Sequence, residues 1–325
     1  MVSAGTVLGG TGGIWRVLLE NGDVVESSLR GRLKKQEELG ATPRLSLGNA
    51  SRAPVAVLKL AVGDVVEVTA DPGGTAWAIS AIAPRRSKLA RRAPGRAGGE
   101  RVVVANLDQV LVVFAAANPD PHPRMLDRFL VIAEANELAA RIVVNKCDLI
   151  AEEKARHTFA DFERAGYPVH YTSVVEARGL DALRSAVQGK VSALSGPSGV
   201  GKSSLMNALF PGLDLRVGEI SESVNKGRHT TVGALLHPLP GGGFVADTPG
   251  LREVGLWGIS VREVAACFPE MRPYLDTCRF ADCTHLVEPG CAVRDAVQSG
   301  AVSRARWESY GKLREELANS AMGGW

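Results

Sequence analysis

Asn145-Lys146-Cys147-Asp148 precedes Gly196-Pro197-Ser198-Gly199-Val200-Gly201-Lys202-Ser203 by about fifty positions, and this order constrains the fold more than any other feature of the chain. The second stretch fits G-x-x-x-x-G-K-S. Its glycines let backbone N–H groups close around phosphate oxygens, and the loop leads into a helix N-terminus whose dipole favours anions. The first stretch fits N-K-x-D, whose carboxylate can accept hydrogen bonds from the N1–H and exocyclic amine of guanine. Where the two patterns occur together, the phosphate loop ordinarily comes first. Either one match is accidental, or the domain is circularly permuted, a rearrangement that is tolerated because domain termini lie at the surface and often close together.

Further pieces decide between these readings. Thr172-Ser173 follows the guanine pattern at the end of an apolar run, Gly227-Arg-His-Thr-Thr231 follows the phosphate loop, and Asp247-Thr-Pro-Gly250 follows that. The series runs guanine reader, base-edge loop, phosphate loop, first switch, second switch. Five pieces in one cyclic order point to permutation.

At 325 residues the chain exceeds one ordinary core and implies two or three domains. Apolar residues at 45% and charged residues at 22% suit a soluble globular protein, and the net charge of 38 − 35 = +3 does not by itself argue for a polyanion partner. The distribution of charge is more informative. Between Pro84 and Gly99 stand Arg85, Arg86, Lys88, Arg91, Arg92 and Arg96 with no acidic residue. The N-terminus lacks a basic segment followed by an apolar one, and no apolar run approaches a membrane span, so a cytoplasmic protein with no membrane partner is expected. Five cysteines without an export signal favour metal or thiol chemistry over disulfides.

The first 83 residues read as short strands over Thr6–Leu8, Ile14–Leu19, Asp23–Ser28, Val55–Leu60, Asp64–Thr69 and Ala76–Ile82, separated by Gly and Asn-Gly turns. Five or six strands in that length suggest a small antiparallel barrel. The OB-fold is preferred on strand number and its oligonucleotide-binding precedent, with an SH3-like barrel as the competing form. The Arg-rich stretch that follows reads as a linker. Beyond it, Val110–Phe114 and Arg141–Val144 are nearly continuous apolar runs, as strands buried on both faces should be. Further strands are expected at Pro168–Tyr171, Val191–Leu194 and Gly243–Ala246, with helices at Met125–Ala135, 152–164 and 202–210. This is the grammar of a doubly wound α/β domain. From about residue 260 the pattern turns helical around a Cys/His cluster.

In the phosphate loop, with Ser204 opening the helix behind it, Lys202 suits the β- and γ-phosphates and the Ser203 hydroxyl suits Mg²⁺. Asp148 selects guanine because adenine offers no such pair of donors. Asn145 is placed to hold the base edge and neighbouring loops, and the Lys146 stem to cover the ring; Cys147 fills the free position. Asp247 ends a buried strand, as a residue holding a Mg²⁺-bound water should, with the Gly250 N–H approaching the γ-phosphate. The next residue is Leu251, where Ras-like proteins carry the Gln that orients the attacking water. His229, beside Thr230 and Thr231, is the nearest candidate for that task, and an ordinary loop histidine is the alternative. Cys278-x₄-Cys283-x-His285-x₅-Cys291 supplies three thiolates and an imidazole within fourteen residues, a closed structural zinc set. Cys267 reads as a core residue.

These residues resemble the RsgA (YjeQ/YloQ) ribosome biogenesis GTPases of bacteria. The resemblance rests on Leu126-Asp127-Arg128-Phe129-Leu130, Gly166-Tyr-Pro168, Gly196 to Leu205, Gly227 to Thr231, Asp247 to Arg252 and the Cys₃His spacing. It implies a circularly permuted P-loop GTPase domain at 101–258, with a mostly parallel sheet. An OB-fold barrel (1–83) and a basic linker (84–100) precede it, and a helical zinc-binding domain (259–325) follows. It also implies GTP/GDP binding, with Thr231 joining Ser203 and Asp247 around magnesium. The small ribosomal subunit and its rRNA are the implied partners of a monomer, and hydrolysis is stimulated by the subunit and coupled to release. Ser28 and Ser87 stand where members often carry Cys and Asn. A GTP-clamped RNA-binding scaffold with incidental hydrolysis is the rival reading, and a P-loop ATPase or kinase is countered by Asp148.

Overall fold

The structure is a computed structural model that describes residues 2–31, 59–73, 76–92, 100–213, 215, 234–247, 256 and 258–322. Its N-terminal unit is a closed barrel of five strands: β1 (Val2–Thr11), β2 (Ile14–Leu19), β3 (Val24–Leu29), β4 (Val65–Ala70) and β5 (Trp77–Ile82), in the order β1-β2-β3-β5-β4. β3 runs parallel to β5 while the other pairs are antiparallel, a pairing that closes the sheet on itself and leaves no free edge. Val7, Val17, Val66, Val68 and Ile79 fill the interior. The strand expected over Val55–Leu60 falls mostly outside the described residues, and Lys59 and Leu60 are irregular.

The stretch read as a linker departs from that expectation. Lys88–Arg92 (β6) pairs antiparallel with Glu100–Ala105 (β7). Leu89 is fully buried and joins Val104 in the main core, so alternation of apolar and basic residues forms a strand here. Nor are its charges all available to a polyanion. Arg85 grips the buried Asp64 with two bonds of 2.7 and 2.8 Å, Arg86 meets Asp108 at 2.6 Å, and Lys88 meets Glu100 at 2.7 Å. Asn106 completes this joint between barrel and sheet: its amide donates to Gly63 O at 2.9 Å and its oxygen accepts from Arg86 N at 2.9 Å. A side chain at Gly63 (φ +85°) would place its Cβ 2.3 Å from Ala105 O, so this close approach requires glycine.

The central sheet contains β8 (Gln109–Ala115), β9 (Ala139–Asn145), β10 (Val169–Tyr171), β11 (Val191–Ser195), β12 (Leu235–Pro238) and β13 (Phe244–Asp247), in the order β10-β9-β8-β11-β13-β12. Neighbours are parallel except for the antiparallel edge strand β12, which was not anticipated from its four residues. Along β8, Val110, Val112 and Phe114 enter one core and Leu111, Val113 and Ala115 the other, which explains its continuous apolar run. Helices α1 (Pro123–Ala135) and α2 (Glu152–Arg164) cover the first face; α3 (Leu180–Val187) and α4 (Lys202–Leu209) cover the second. The expected doubly wound domain is present. Helix α3 lies outside the expected set, although Leu180, Leu183 and Val187 show helical spacing.

The C-terminal unit packs against α1. It comprises 3₁₀ turns at Val264–Cys267 and Pro269–Thr277, α5 (Ala292–Ser299) and α6 (Arg304–Met322). Phe268, Met271 and Tyr310 extend the first core into this unit, where Cys267 also lies as expected. Among the described residues no helix is long and apolar enough to cross a membrane.

Candidate active site and metal centre

Parallel strands deliver their C-terminal ends to one edge of the sheet, and the loops that leave that edge form the site. The phosphate loop runs from β11 into α4. Gly196 (φ +133°) could not carry a side chain, since its Cβ would lie 2.0 Å from Val113 O; at Gly201 (φ +90°) a Cβ would lie 2.7 Å from the Asn145 amide. The Lys202 ammonium donates to Gly196 O at 3.0 Å and Pro197 O at 2.7 Å, arching over the loop it must serve. Ser203, in the first turn of α4, is buried.

The guanine pattern follows β9 and meets this loop directly. Asn145 donates through its amide to Val200 O at 2.9 Å and accepts from the Thr172 hydroxyl at 3.3 Å. Lys146 takes a left-handed conformation (φ +61°), and its ammonium donates to Gly199 O at 2.7 Å and to Asn118 O. Asp148 accepts from the Ser173 hydroxyl at 2.6 Å. Cys147 donates its N–H to Thr172 O at 3.0 Å while its side chain is buried, and burial pushes its thiol pKa up; it contributes backbone to the site. The reader, the base-edge loop and the phosphate loop are thus brought together in one place in spite of their order along the chain.

The expected first switch, with His229, Thr230 and Thr231, lies outside the described residues, as do Gly250 and Leu251. Asp247 ends β13 as anticipated, its side chain lying outside the described set. Two contacts went unread in the sequence. Asn118, in the loop between β8 and α1, supplies a carbonyl to Lys146, and Arg178 donates to Cys147 O at 2.8 Å. A backbone acceptor leaves no mark in residue type, so neither the Asn118 carbonyl nor the Cys147 carbonyl can be matched to its donor from the sequence alone.

The second cluster lies in the C-terminal unit. Sγ of Cys278, Cys283 and Cys291 and a ring nitrogen of His285 all fall within 4.8 Å of one another. Cys278 Sγ is 3.9 Å from Cys291 Sγ, and His285 Nδ1 is 3.4 and 3.7 Å from those sulfurs. Tetrahedral bonds of about 2.3 Å to sulfur and about 2.0 Å to nitrogen imply edges of about 3.5 to 3.8 Å, so the donor set fits a four-coordinate metal ion. Burial lowers the pKa of His285, favouring the neutral imidazole a metal requires. Glu288 braces the loop. Burial alone would raise its pKa, but hydrogen bonds from the Thr284 hydroxyl and N–H and from the Val287 N–H hold it down at about 2. Trp307 and Tyr310 of α6 fasten the loop from the other side, donating to His285 O at 2.8 Å and Thr284 O at 2.7 Å.

A doubly wound sheet whose phosphate loop comes after its guanine reader in the chain, with both joined at one edge, defines a circularly permuted GTPase. Residues 82–257 match the family model of the RsgA GTPases. The chain is 64% identical over 316 residues, covering 97% of each, to a protein of Gemmatimonas aurantiaca named small ribosomal subunit biogenesis GTPase RsgA, and 35% identical over 315 residues, 96% of each, to one of that name from Bacteroides fragilis. Its structure is similar to YjeQ from Thermotoga maritima (TM-score 0.78, 33% identity, 98% of this chain and 99% of that one). It is also similar to YloQ, described as a circularly permuted GTPase (TM-score 0.74, 28% identity, 98% and 96%). The chain belongs to the RsgA GTPase family.

Proposed function

We propose that this GTPase binds the small ribosomal subunit and assists its late maturation, with hydrolysis of GTP to GDP stimulated by the subunit and coupled to release. The observation that carries the reading is the union of Asn145 and Lys146 with the carbonyls of Val200 and Gly199, which brings the two motifs together as one guanine nucleotide site would require. Full-length likeness to proteins named for small-subunit biogenesis supports the partner. Asp148, with Ser173 and Thr172 behind it, reads guanine, and residues Gly196 to Ser204 cradle the phosphates with Lys202 on the β- and γ-groups. Ser203, Thr231 and Asp247 hold magnesium, which neutralises charge developing on the transferred phosphoryl group. Gly250 approaches the γ-phosphate and His229 orients the attacking water. Cys278, Cys283, His285 and Cys291 hold one structural zinc ion, which fixes the loop beneath Trp307. The barrel and the metal-binding unit contact rRNA, and the protein acts as a cytoplasmic monomer.

The test is GTP turnover with and without purified small subunits, together with pelleting on small and large subunits under a GTP analogue and under GDP. Stimulation by small subunits alone, with tighter binding in the analogue state, is the expected result. The rival reading of a GTP-clamped scaffold draws on Leu251, and it requires turnover that small subunits leave unchanged.

A further inference from the structure

Asp148 is useful only if its carboxylate stands where the base edge will be, yet it sits in a single 3₁₀ turn, Cys147–Leu149. Two contacts hold it there: the Ser173 hydroxyl donates to its Oδ1 at 2.6 Å, and the carbonyl of Cys147, immediately before it, accepts from Arg178 Nη2 at 2.8 Å. The Arg178 main chain also lies beside the first contact. Its backbone N–H and C=O form a reciprocal pair with Ser173, each bond 3.0 Å, an isolated β-bridge that closes the base-edge loop. One residue therefore grips the peptide ahead of Asp148 and fastens the serine that holds its carboxylate.

The guanidinium is held in turn. Glu176 lies 3.4 Å away within the same loop and Glu152, at the start of α2, lies 3.6 Å away. The chain path is fixed just after it, because Gly179 (φ +72°) passes so near Tyr171 O that a Cβ would lie 2.1 Å from it. Among the described residues the bonds of Arg178 go to these base-side loops, and none reaches 196–203. A planar guanidinium beside a carbonyl and two carboxylates is a rigid brace, since its donors are fixed in direction.

We infer that Arg178 is a positioning residue for guanine recognition, its guanidinium acting through the peptide of Cys147 to set the Asp148 carboxylate, with no part in the hydrolytic step. The inference rests on the assignment of Asp148 as guanine reader. Its consequence is selective. GTP presents two donors to the carboxylate, N1–H and the exocyclic amine, whereas inosine triphosphate presents one, so displacement of the carboxylate costs GTP more.

The experiment measures dissociation constants for GTP and inosine triphosphate and kcat at saturating GTP, with the full chain and with Arg178→Ala, Arg178→Lys and Asp148→Asn. Arg178→Ala is expected to weaken GTP about tenfold and to narrow the preference for GTP over inosine triphosphate, with kcat kept within about twofold. Arg178→Lys should restore much of the preference, since an ammonium can still donate to the Cys147 carbonyl. An unchanged preference in Arg178→Ala, or an equal loss for both nucleotides, would overturn the inference if Asp148→Asn abolishes the preference. If Asp148→Asn keeps it too, the reader assignment itself fails.

Discussion

Arg306 of α6 and Asp127 of α1 form a buried ion pair across 179 positions of chain, each side chain 3% exposed. Glu270 completes the group, taking Arg306 Nε at 2.7 Å and Nη2 at 3.0 Å, and the guanidinium lies over the rings of Phe268 and Phe162 at 4.8 and 5.1 Å. This assigns a task to the Leu126-Asp127-Arg128-Phe129-Leu130 stretch. Its apolar residues pack the core, Asp127 anchors the C-terminal unit, and Arg128 reaches Glu316 of α6 at 2.7 Å. Arg306→Met strands two buried carboxylates, so a loss of about 3–5 kcal/mol is expected in denaturant unfolding. Loss under about 1 kcal/mol would refute the anchoring role.

Asp148→Asn should lose GTP and gain xanthosine triphosphate, whose 2-oxo group matches the amide the mutation introduces. Competitive binding of the two nucleotides checks this, and GTP affinity equal to the parent's would show that the carboxylate does not read the base.

Lys202→Ala and Ser203→Ala should each abolish GTP turnover while leaving the Cys₃His unit folded, as the roles proposed for these side chains on the phosphates and their cation require. His229→Ala should reduce subunit-stimulated kcat with nucleotide affinity nearly kept, since a water-positioning group acts mainly on kcat. Stopped-time phosphate release with and without small subunits distinguishes the two classes of effect.

Removing the metal should loosen α6 from the rest of the molecule, because Trp307 and Tyr310 are fastened to carbonyls of the ligand loop at 2.8 and 2.7 Å. Chelation, or Cys291→Ser, is expected to expose the α6 backbone to hydrogen exchange while the barrel stays protected. Glu288→Gln should weaken metal retention by about tenfold or more through the loop it braces. Metal analysis after dialysis, with zinc as the expected ion, provides the readout.

Acid should weaken the fold through His170. Burial, then the nearby Arg141 with its Nη1 3.5 Å from His170 Nε2, lowers the pKa below the usual 6.5. The unfolded chain then binds the proton more readily, so the contribution to stability is present above about pH 6.5 and is lost as pH falls through the window below it. Tm measured between about pH 7 and pH 5 should decline in the parent and decline less in His170→Gln.

The sequence by itself carried the motifs of the proposed site and the apolar pattern of the core. The glycines, Lys202 and the N-K-x-D residues form motifs set by local chemistry, and the continuous apolar run of β8 announces burial on both faces, so these patterns are legible in the chain itself. Cyclic order could be read too, because it is a property of the chain. Tertiary structure alone decided which charges are paired: Arg85, Arg86 and Lys88 read in the sequence as part of an Arg-rich linker and are bonded to Asp64, Asp108 and Glu100. It alone joined Asp127 to Arg306 and Arg178 to the carbonyl of Cys147, since contacts across distant parts of the chain, and backbone acceptors in particular, have no signature in residue type.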